Sequence, residues 1–169
     1  MSDWDLTPKR GADSEVTLTQ MMELTDANIA GNVHGGVVMR LVDTAAGLAA
    51  IRHARGLAVT VAIDEMTFLE PVHIGDVLVL KARVNAAGST SMECGVRVEA
   101  HDPVTGTHRH VNSAYLVFVA IDREDHPRPV PPLVVETEAE RRREREAGLR
   151  REKRIAHRSA LKAARDAER

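Results

Sequence analysis

Two adjacent glycines at the start of a helix, with a carboxylate seven residues further on, are the part of this chain most suited to chemistry. They lie in Gly31-Asn32-Val33-His34-Gly35-Gly36, followed by Asp43. Glycines at a helix start leave its first N–H groups unobstructed. Those groups and the helix dipole make a site for an anion or an oxyanion. His34 beside them either polarises a carbonyl or positions the loop. Asp43 is set among Met39, Ala46, Gly47 and Ala50, and a carboxylate among apolar and small residues needs a partner or a purpose. It either pairs with Arg40 or a backbone donor, or it acts as a base.

Helix geometry constrains the second option. Seven residues place Asp43 roughly 10 Å along the axis from Gly36, whereas a general base works within about 3 Å of its proton or through one water. Asp43 therefore cannot serve its own helix N-terminus. It can serve that of a second copy, which puts the site at a subunit interface, with two sites per symmetric dimer.

The elements that must hold these residues follow from hydrophobic patterning. Gly35 to His53 is apolar or small at nearly every position, which predicts a buried helix, with Gly56 as its C-cap. Alternation at Val59, Val61 and Ile63, the β-branched run Asp76 to Val84, alternation from Met92 to Val98, and the apolar run Val111 to Ile121 predict strands. A further strand is expected over Glu15 to Leu24. Short connections favour antiparallel hairpins. The expected architecture is α+β: one central helix wrapped by a five-stranded antiparallel sheet.

Composition sets the limits. The 169 residues include four aromatics and one cysteine, with 43% hydrophobic content. This excludes a wholly disordered chain and a disulfide scaffold. There is no apolar run of the roughly 20 residues that a membrane helix needs and no apolar signal core, so the expectation is a cytoplasmic protein without a membrane partner. Residues 136–169 carry 12 Lys+Arg and 8 Asp+Glu, while the formal net charge of the whole chain is −2. All seven prolines precede that segment. The reading is a folded domain at 14–125, a Pro-rich linker at 126–135 and a charged, solvated helix at 136–169, either exposed or docked on a partner subunit. Its glutamates offset the arginines and no aromatic stacks beside them, so no nucleic-acid partner is expected.

Other candidates weaken. Cys94 alternates with core positions and reads as a buried structural thiol. His101, His108 and His110 fall near one hairpin, but neither carboxylate nor cysteine completes a zinc set, so no metal is expected. The glycine pair is not a phosphate loop, because no Gly-Lys-Ser/Thr follows.

Three motifs, Gly31-Asn32-Val33-His34-Gly35-Gly36, Leu41-Val42-Asp43 and Met66-Thr67-Phe68-Leu69-Glu70-Pro71-Val72-His73-Ile74-Gly75-Asp76, resemble the hotdog-fold acyl-CoA thioesterases. The similarity is to the brain-type cytosolic long-chain group and its single-domain bacterial relatives. The resemblance implies the hotdog fold, homodimers and commonly trimers of dimers (hexamers), and hydrolysis of fatty acyl-CoA to fatty acid and CoA with no cofactor. It implies Asn32 as the catalytic asparagine that orients water or carbonyl. It implies Asp43 as general base or, alternatively, nucleophile. Gly36 with Gly35 would supply the oxyanion N–H groups, with His34 positioning. By the same analogy Thr60, Val61 and Ala62 lie along the pantetheine arm, and Arg83, Thr90 and Ser91 are candidates for the CoA end. The rival reading is a non-catalytic acyl-CoA sensor or scaffold.

Overall fold

The computed structural model describes residues 4–168. Strand β1 (Lys9–Arg10) and β2 (Val16–Met21) precede helix α1 (Gly35–Ala54). Four long strands follow, β3 (Ala58–Phe68), β4 (Val77–Ala87), β5 (Ser91–His101) and β6 (His108–Ala120). A short β7 (Leu133–Val134) then leads into helix α2 (Glu138–Ala167). The main sheet is five-stranded, in the order β2-β4-β5-β6-β3, and every pairing is antiparallel. Helix α1 packs on one face of it. This is the expected hotdog arrangement.

Period-two patterning explains the layers. Leu78, Leu80, Ala82 and Val84 of β4, Met92, Cys94, Val96 and Val98 of β5, and Ala114, Leu116 and Phe118 of β6 all point to the helix side and are buried. From α1 they meet Val38, Val42 and four alanines (Ala45, Ala46, Ala49 and Ala50), the alanines having no exposed surface. Cys94 is buried in this layer and its thiol is pushed far up by burial, as expected of a structural cysteine.

Boundaries differ from the sequence reading in instructive ways. Strand β2 is shorter than expected and gives way to a 3-10 turn at Leu24–Asp26. Strand β6 begins at His108, because its polar start pairs with His101 across the hairpin and the two imidazoles stack at 3.8 Å. Among the described residues no group of three or more ligating side chains could hold a metal. The left-handed residue at the end of α1 is Arg55, with φ of 54°, not Gly56. Gly56 is needed for a different reason: a Cβ there would lie 2.3 Å from Arg128 Nη2.

Arg128 belongs to the Pro-rich stretch expected as a linker. That stretch lies against the domain as a strap. Arg128 is 3% exposed and donates to the carbonyls of Ala54 at 2.8 Å, Ile121 at 3.2 Å and Pro129 at 3.3 Å, while its guanidinium stacks on Trp4. Lys9, from a strand that pairs in parallel with β7, donates to the Arg52 carbonyl. The C-terminus of α1, the negative end of its dipole, is thus capped by cations from both ends of the chain.

Helix α2 crosses the other face of the sheet. Thr137 and Glu140 form its capping box. Arg150 donates to Glu93 at 2.6 and 3.0 Å and lies over the Tyr115 ring, Arg154 pairs with Asp64, and Ala147 is buried. The helix is therefore docked on its own sheet as far as Arg154 and exposed beyond it. Among the described residues no helix is long and apolar enough to cross a membrane.

Two predictions follow from the α1 C-terminus. Arg128→Met leaves carbonyls without a charged donor and should lower unfolding free energy by about 2–3 kcal/mol, measured by urea denaturation at fixed protomer concentration. His53 is fully buried, with Nε2–H donating to the Pro131 carbonyl at 2.8 Å and Nδ1 without a partner. Burial holds its pKa below the ordinary value of 6.5. The unfolded chain therefore takes up this proton first, and the contribution of neutral His53, complete above about pH 6.5, is lost as pH falls. Stability of the wild type should drop more steeply between pH 7 and pH 5 than that of His53→Gln; parallel profiles would refute the assignment.

Candidate functional site

The α1 N-terminus opens on a cleft of about 390 Å³ lined by Asn28, Asn32, Val33, Gly35, Val38 and the segment Phe68 to Val72. Two loops build it. Asn28 N–H donates to the Asn32 carbonyl at 2.7 Å, and Asn28 Oδ1 accepts from Ala30 N–H at 2.8 Å and Asn32 N–H at 3.3 Å. This is a compact Asx-type turn, followed by Gly31 at φ of 82°. The turn is laid on the second loop: Val33 N–H donates to the Val72 carbonyl at 2.9 Å, and Asn32 bridges antiparallel to His73. Phe68 completes the wall, its ring 3.5 Å from where a Cβ of Gly35 would stand.

His34 is the N-cap of α1, and its Nδ1 accepts from Gly36 N–H at 2.9 Å. Of the two roles open to it in the sequence, the structure displays capping. A Cβ on Gly36 would lie 3.0 Å from that nitrogen, so glycine is what admits the imidazole. The Gly36 N–H, expected as the principal oxyanion donor, is therefore occupied. Gly35 lines the cleft, and among the described residues its N–H makes no hydrogen bond.

Asp43 is exposed on α1 and does not line this cleft. Its partner is not Arg40: Thr60 Oγ1 donates to Asp43 Oδ1 at 2.6 Å. This hydrogen bond orients the carboxylate and leaves its second oxygen available. Thr60 lies on β3, an edge strand of the sheet, where the register shifts between Thr60 and Ala62. Thr60 itself stands opposite Phe118, whose ring lies against α1, so regular strand pairing sets Thr60 on the helix side. Beside Asp43 and Thr60 the surface is apolar, with Met39 one turn from Asp43 and Val59, Val61 and Ile63 along β3 all exposed.

The remaining candidates separate. Val61 and Ala62 stay beside Thr60 on β3. Arg83 pairs with Glu15 at 2.9 Å and Glu140 at 3.6 Å under α2, on the far face of the sheet from the cleft. Thr90 and Ser91 sit at the β4–β5 turn, where the Thr90 carbonyl accepts from Ala120 N–H. That is the sheet end where α1 finishes, so within one protomer none of these three meets the cleft. Asn28 was not singled out from the sequence, although the Asp-Ala-Asn-x-x-Gly pattern of an Asx turn was present.

Comparisons with known proteins bear on the family and the fold. A model of the thioesterase superfamily matches residues 30–107. YkhA of Bacillus subtilis, described as an uncharacterized acyl-CoA thioester hydrolase, is 35% identical over 128 residues, covering 76% of this chain and 74% of that protein. The cytosolic acyl coenzyme A thioester hydrolase of Mus musculus is 34% identical, over 80% of this chain. This chain spans 36% of that protein's length, and the rat and human counterparts are covered to the same extent. Among solved structures, an apo-hexameric acyl-CoA thioesterase superposes with a TM-score of 0.87 at 34% identity, covering 92% of this chain and 99% of that one. The acyl-CoA hydrolase of Staphylococcus aureus, solved with butyryl coenzyme A, coenzyme A and coenzyme A disulfide, gives 0.84 at 32% identity, covering 92% and 95%. That hydrolase has also been solved with Asn28, Asp43 or Thr60 replaced by alanine. The chain belongs to the thioesterase superfamily and is one of its hotdog-fold members.

Proposed function

We propose that this protein is an acyl-CoA thioesterase whose site is completed by two copies of the chain. One copy contributes the cleft at the start of α1, and the other contributes Asp43. The observation that carries this reading is the oriented carboxylate: Asp43 is held by Thr60, exposed, and outside its own cleft. The helix rise separates it from its own Gly36 by roughly 10 Å. The apolar surface around it and the open edge of β3 suit a second copy, since an unpaired apolar edge is otherwise an aggregation liability. A dimer, and a hexamer as trimer of dimers, fits the hexameric neighbour.

In the proposed reaction a fatty acyl thioester lies in the cleft with its carbonyl oxygen on the Gly35 N–H. Gly36 N–H joins once the His34 ring turns aside. Asp43 of the second copy takes a proton from water as the water oxygen attacks the carbonyl carbon. The oxyanion is held by the helix N-terminus. Collapse of the intermediate breaks the C–S bond, giving fatty acid and CoA thiolate, and the proton on Asp43 returns to the sulfur directly or through solvent. In the alternative, Asp43 attacks the carbonyl carbon as a nucleophile, the C–S bond breaks with release of CoA thiolate, and water opens the resulting anhydride to fatty acid and free Asp43.

For the asparagine we favour Asn28 over Asn32. Both line the cleft. The Staphylococcus aureus hydrolase was altered at an asparagine, an aspartate and a threonine numbered 28, 43 and 60, and this chain has the same three residue types at the same three numbers. Asn28 Oδ1 is engaged within its turn, which leaves the Nδ2 group to orient the carbonyl or the water. Val61 and Ala62, beside Thr60, remain the proposed neighbours of the pantetheine arm. Freedom from a membrane helix among the described residues and the resemblance to cytosolic hydrolases support a cytoplasmic setting.

CoA release from a panel of acyl-CoAs tests the activity. Wild type should turn over, and Asp43→Asn should lose about a hundredfold or more in kcat, the scale on which a general base contributes. Asn28→Ala should lose more than Asn32→Ala. Binding of acyl-CoA without release of CoA would establish the sensor reading instead. Inactive Asp43→Asn and Asn28→Ala chains, mixed and reassembled, should recover part of the activity, because some mixed dimers hold one intact site; no recovery would place both residues of a site in one chain.

A further inference from the structure

We infer that Arg109 is a positioning residue for this hydrolysis, acting through the loop that forms one wall of the cleft. The inference rests on the proposed thioesterase reading. Arg109 stands near the start of β6, with its side chain one-fifth exposed, and it touches neither the Gly-Gly helix start nor Asp43. Its guanidinium is instead aimed at the segment between β3 and β4. Nη1 donates to the Pro71 carbonyl at 2.9 Å and approaches Glu70 Oε2 at 3.4 Å. Nη2 donates to Asp76 Oδ2 at 2.7 Å and meets His73 Nδ1 at 3.2 Å. One planar group thus joins four positions within seven residues of loop, a span suited to the fork geometry of arginine and not to a lysine point charge.

What it holds has two consequences. Asp76 is almost fully buried, and its Oδ2 also accepts from the His73 N–H at 2.8 Å. The turn from His73 to Asp76 is closed by Asp76 N–H to the His73 carbonyl, with Gly75 at φ of 92°. Removing Arg109 would leave a buried carboxylate without its cation. The same loop is also the template for the asparagine turn. The Val72 carbonyl receives Val33 N–H, and His73 bridges to Asn32. Half of the cleft lining comes from Phe68 to Val72. The chain of contacts runs from Arg109 to Asp76 and Pro71, to the 69–76 loop, to the 28–34 turn, and so to the asparagine and the Gly35 N–H. These contacts lie outside the strand pairings of the main sheet. Their shared effect is to fix the distance across the cleft.

The His73 contact adds a condition. Because the guanidinium donates to Nδ1, His73 is a neutral acceptor while the clamp is closed. This fixes the imidazole as one more group held by the same guanidinium.

The test uses the full-length oligomer with Arg109→Met, which keeps length and removes the donors, and Arg109→Lys, which keeps charge without the fork. Steady-state kinetics on the acyl-CoA panel are read beside thermal midpoint and oligomer mass. Displacement of reacting groups by about 1 Å costs on the order of a hundredfold, so a loosened cleft should lower kcat by about tenfold to a hundredfold in both variants. KM should change less than kcat, and oligomer mass should hold. Millimolar guanidinium should partly restore kcat in Arg109→Ala, whose truncated side chain leaves room for it, and ammonium should not. Wild-type turnover with an Arg109→Lys variant within twofold of it in kcat overturns the inference and leaves the thioesterase reading standing. Loss of fold or assembly in Arg109→Lys also overturns it, since the residue would then be a fold determinant. Absence of turnover in wild type is a failure of the thioesterase reading itself.

Discussion

The close packing of α1 on the sheet is the constraint from which the rest of the structure follows. Ala45, Ala46, Ala49 and Ala50 have no exposed surface. Side chains this small bring the helix axis near the sheet, and the sheet curls around it. Buried apolar area drives that contact at about 25 cal/mol per Å², but shape decides its geometry. With the alanines turned to the sheet, the rest of α1 lies open, and Met39 and Asp43, one turn apart, are exposed together along one flank of it. A helix so deeply held on one side and so bare on the other has its working surface defined by default.

Both ends of α1 must then be satisfied, and they are treated differently. The C-terminal carbonyls receive Lys9 and Arg128, drawn from segments before and after the domain. The negative end of the dipole is thereby neutralised by groups that a chemical site would not need. At the N-terminus the His34 side chain takes the Gly36 N–H and its carbonyl takes the Val37 N–H, while Gly35, whose N–H makes no hydrogen bond among the described residues, lines the cleft. Stability is concentrated at one end of the helix and donor capacity is kept at the other. The strap and the first strand are therefore part of how the site is held, even though they lie a helix length from it.

Much of this was legible in the sequence where the signal was local. The buried helix, the five strands and the sheet around them follow from apolar periodicity, and the glycine pair with Asp43 could be found from spacing alone. Gly56 shows the limit. A glycine after a helix ordinarily signals a left-handed cap, but Arg55 adopts that conformation and Gly56 answers to Arg128, 72 residues later. The asparagines show another. Asn28 and Asn32 lie in one loop, four residues apart, with the same side chain, and only the folded turn distinguishes an oxygen that accepts two N–H groups from one that does not. The Thr60 to Asp43 hydrogen bond shows a third: it joins two elements through the pairing of Thr60 with Phe118, which sets Thr60 on the helix side, and that pairing is a long-range fact no local pattern contains.

The charge imbalance along the chain acquires a structural meaning on the same grounds. A segment with 12 basic and 8 acidic residues following a more acidic one reads as an independent, solvated helix when only its own i,i+4 pairs are considered. Yet Arg150 and Arg154 find their partners in Glu93 and Asp64, carboxylates on the outer face of the sheet that would otherwise face apolar surroundings. Glu93 is further held by Asn85, and Tyr115 lies beneath the Arg150 guanidinium. Buried charges are tolerated when paired and hydrogen-bonded, so neither side of this contact is stable in that form without the other. The acidic excess of the domain and the basic excess of the tail meet in one interface, and Asp64 ties that interface to β3, the strand that carries Thr60 to Asp43.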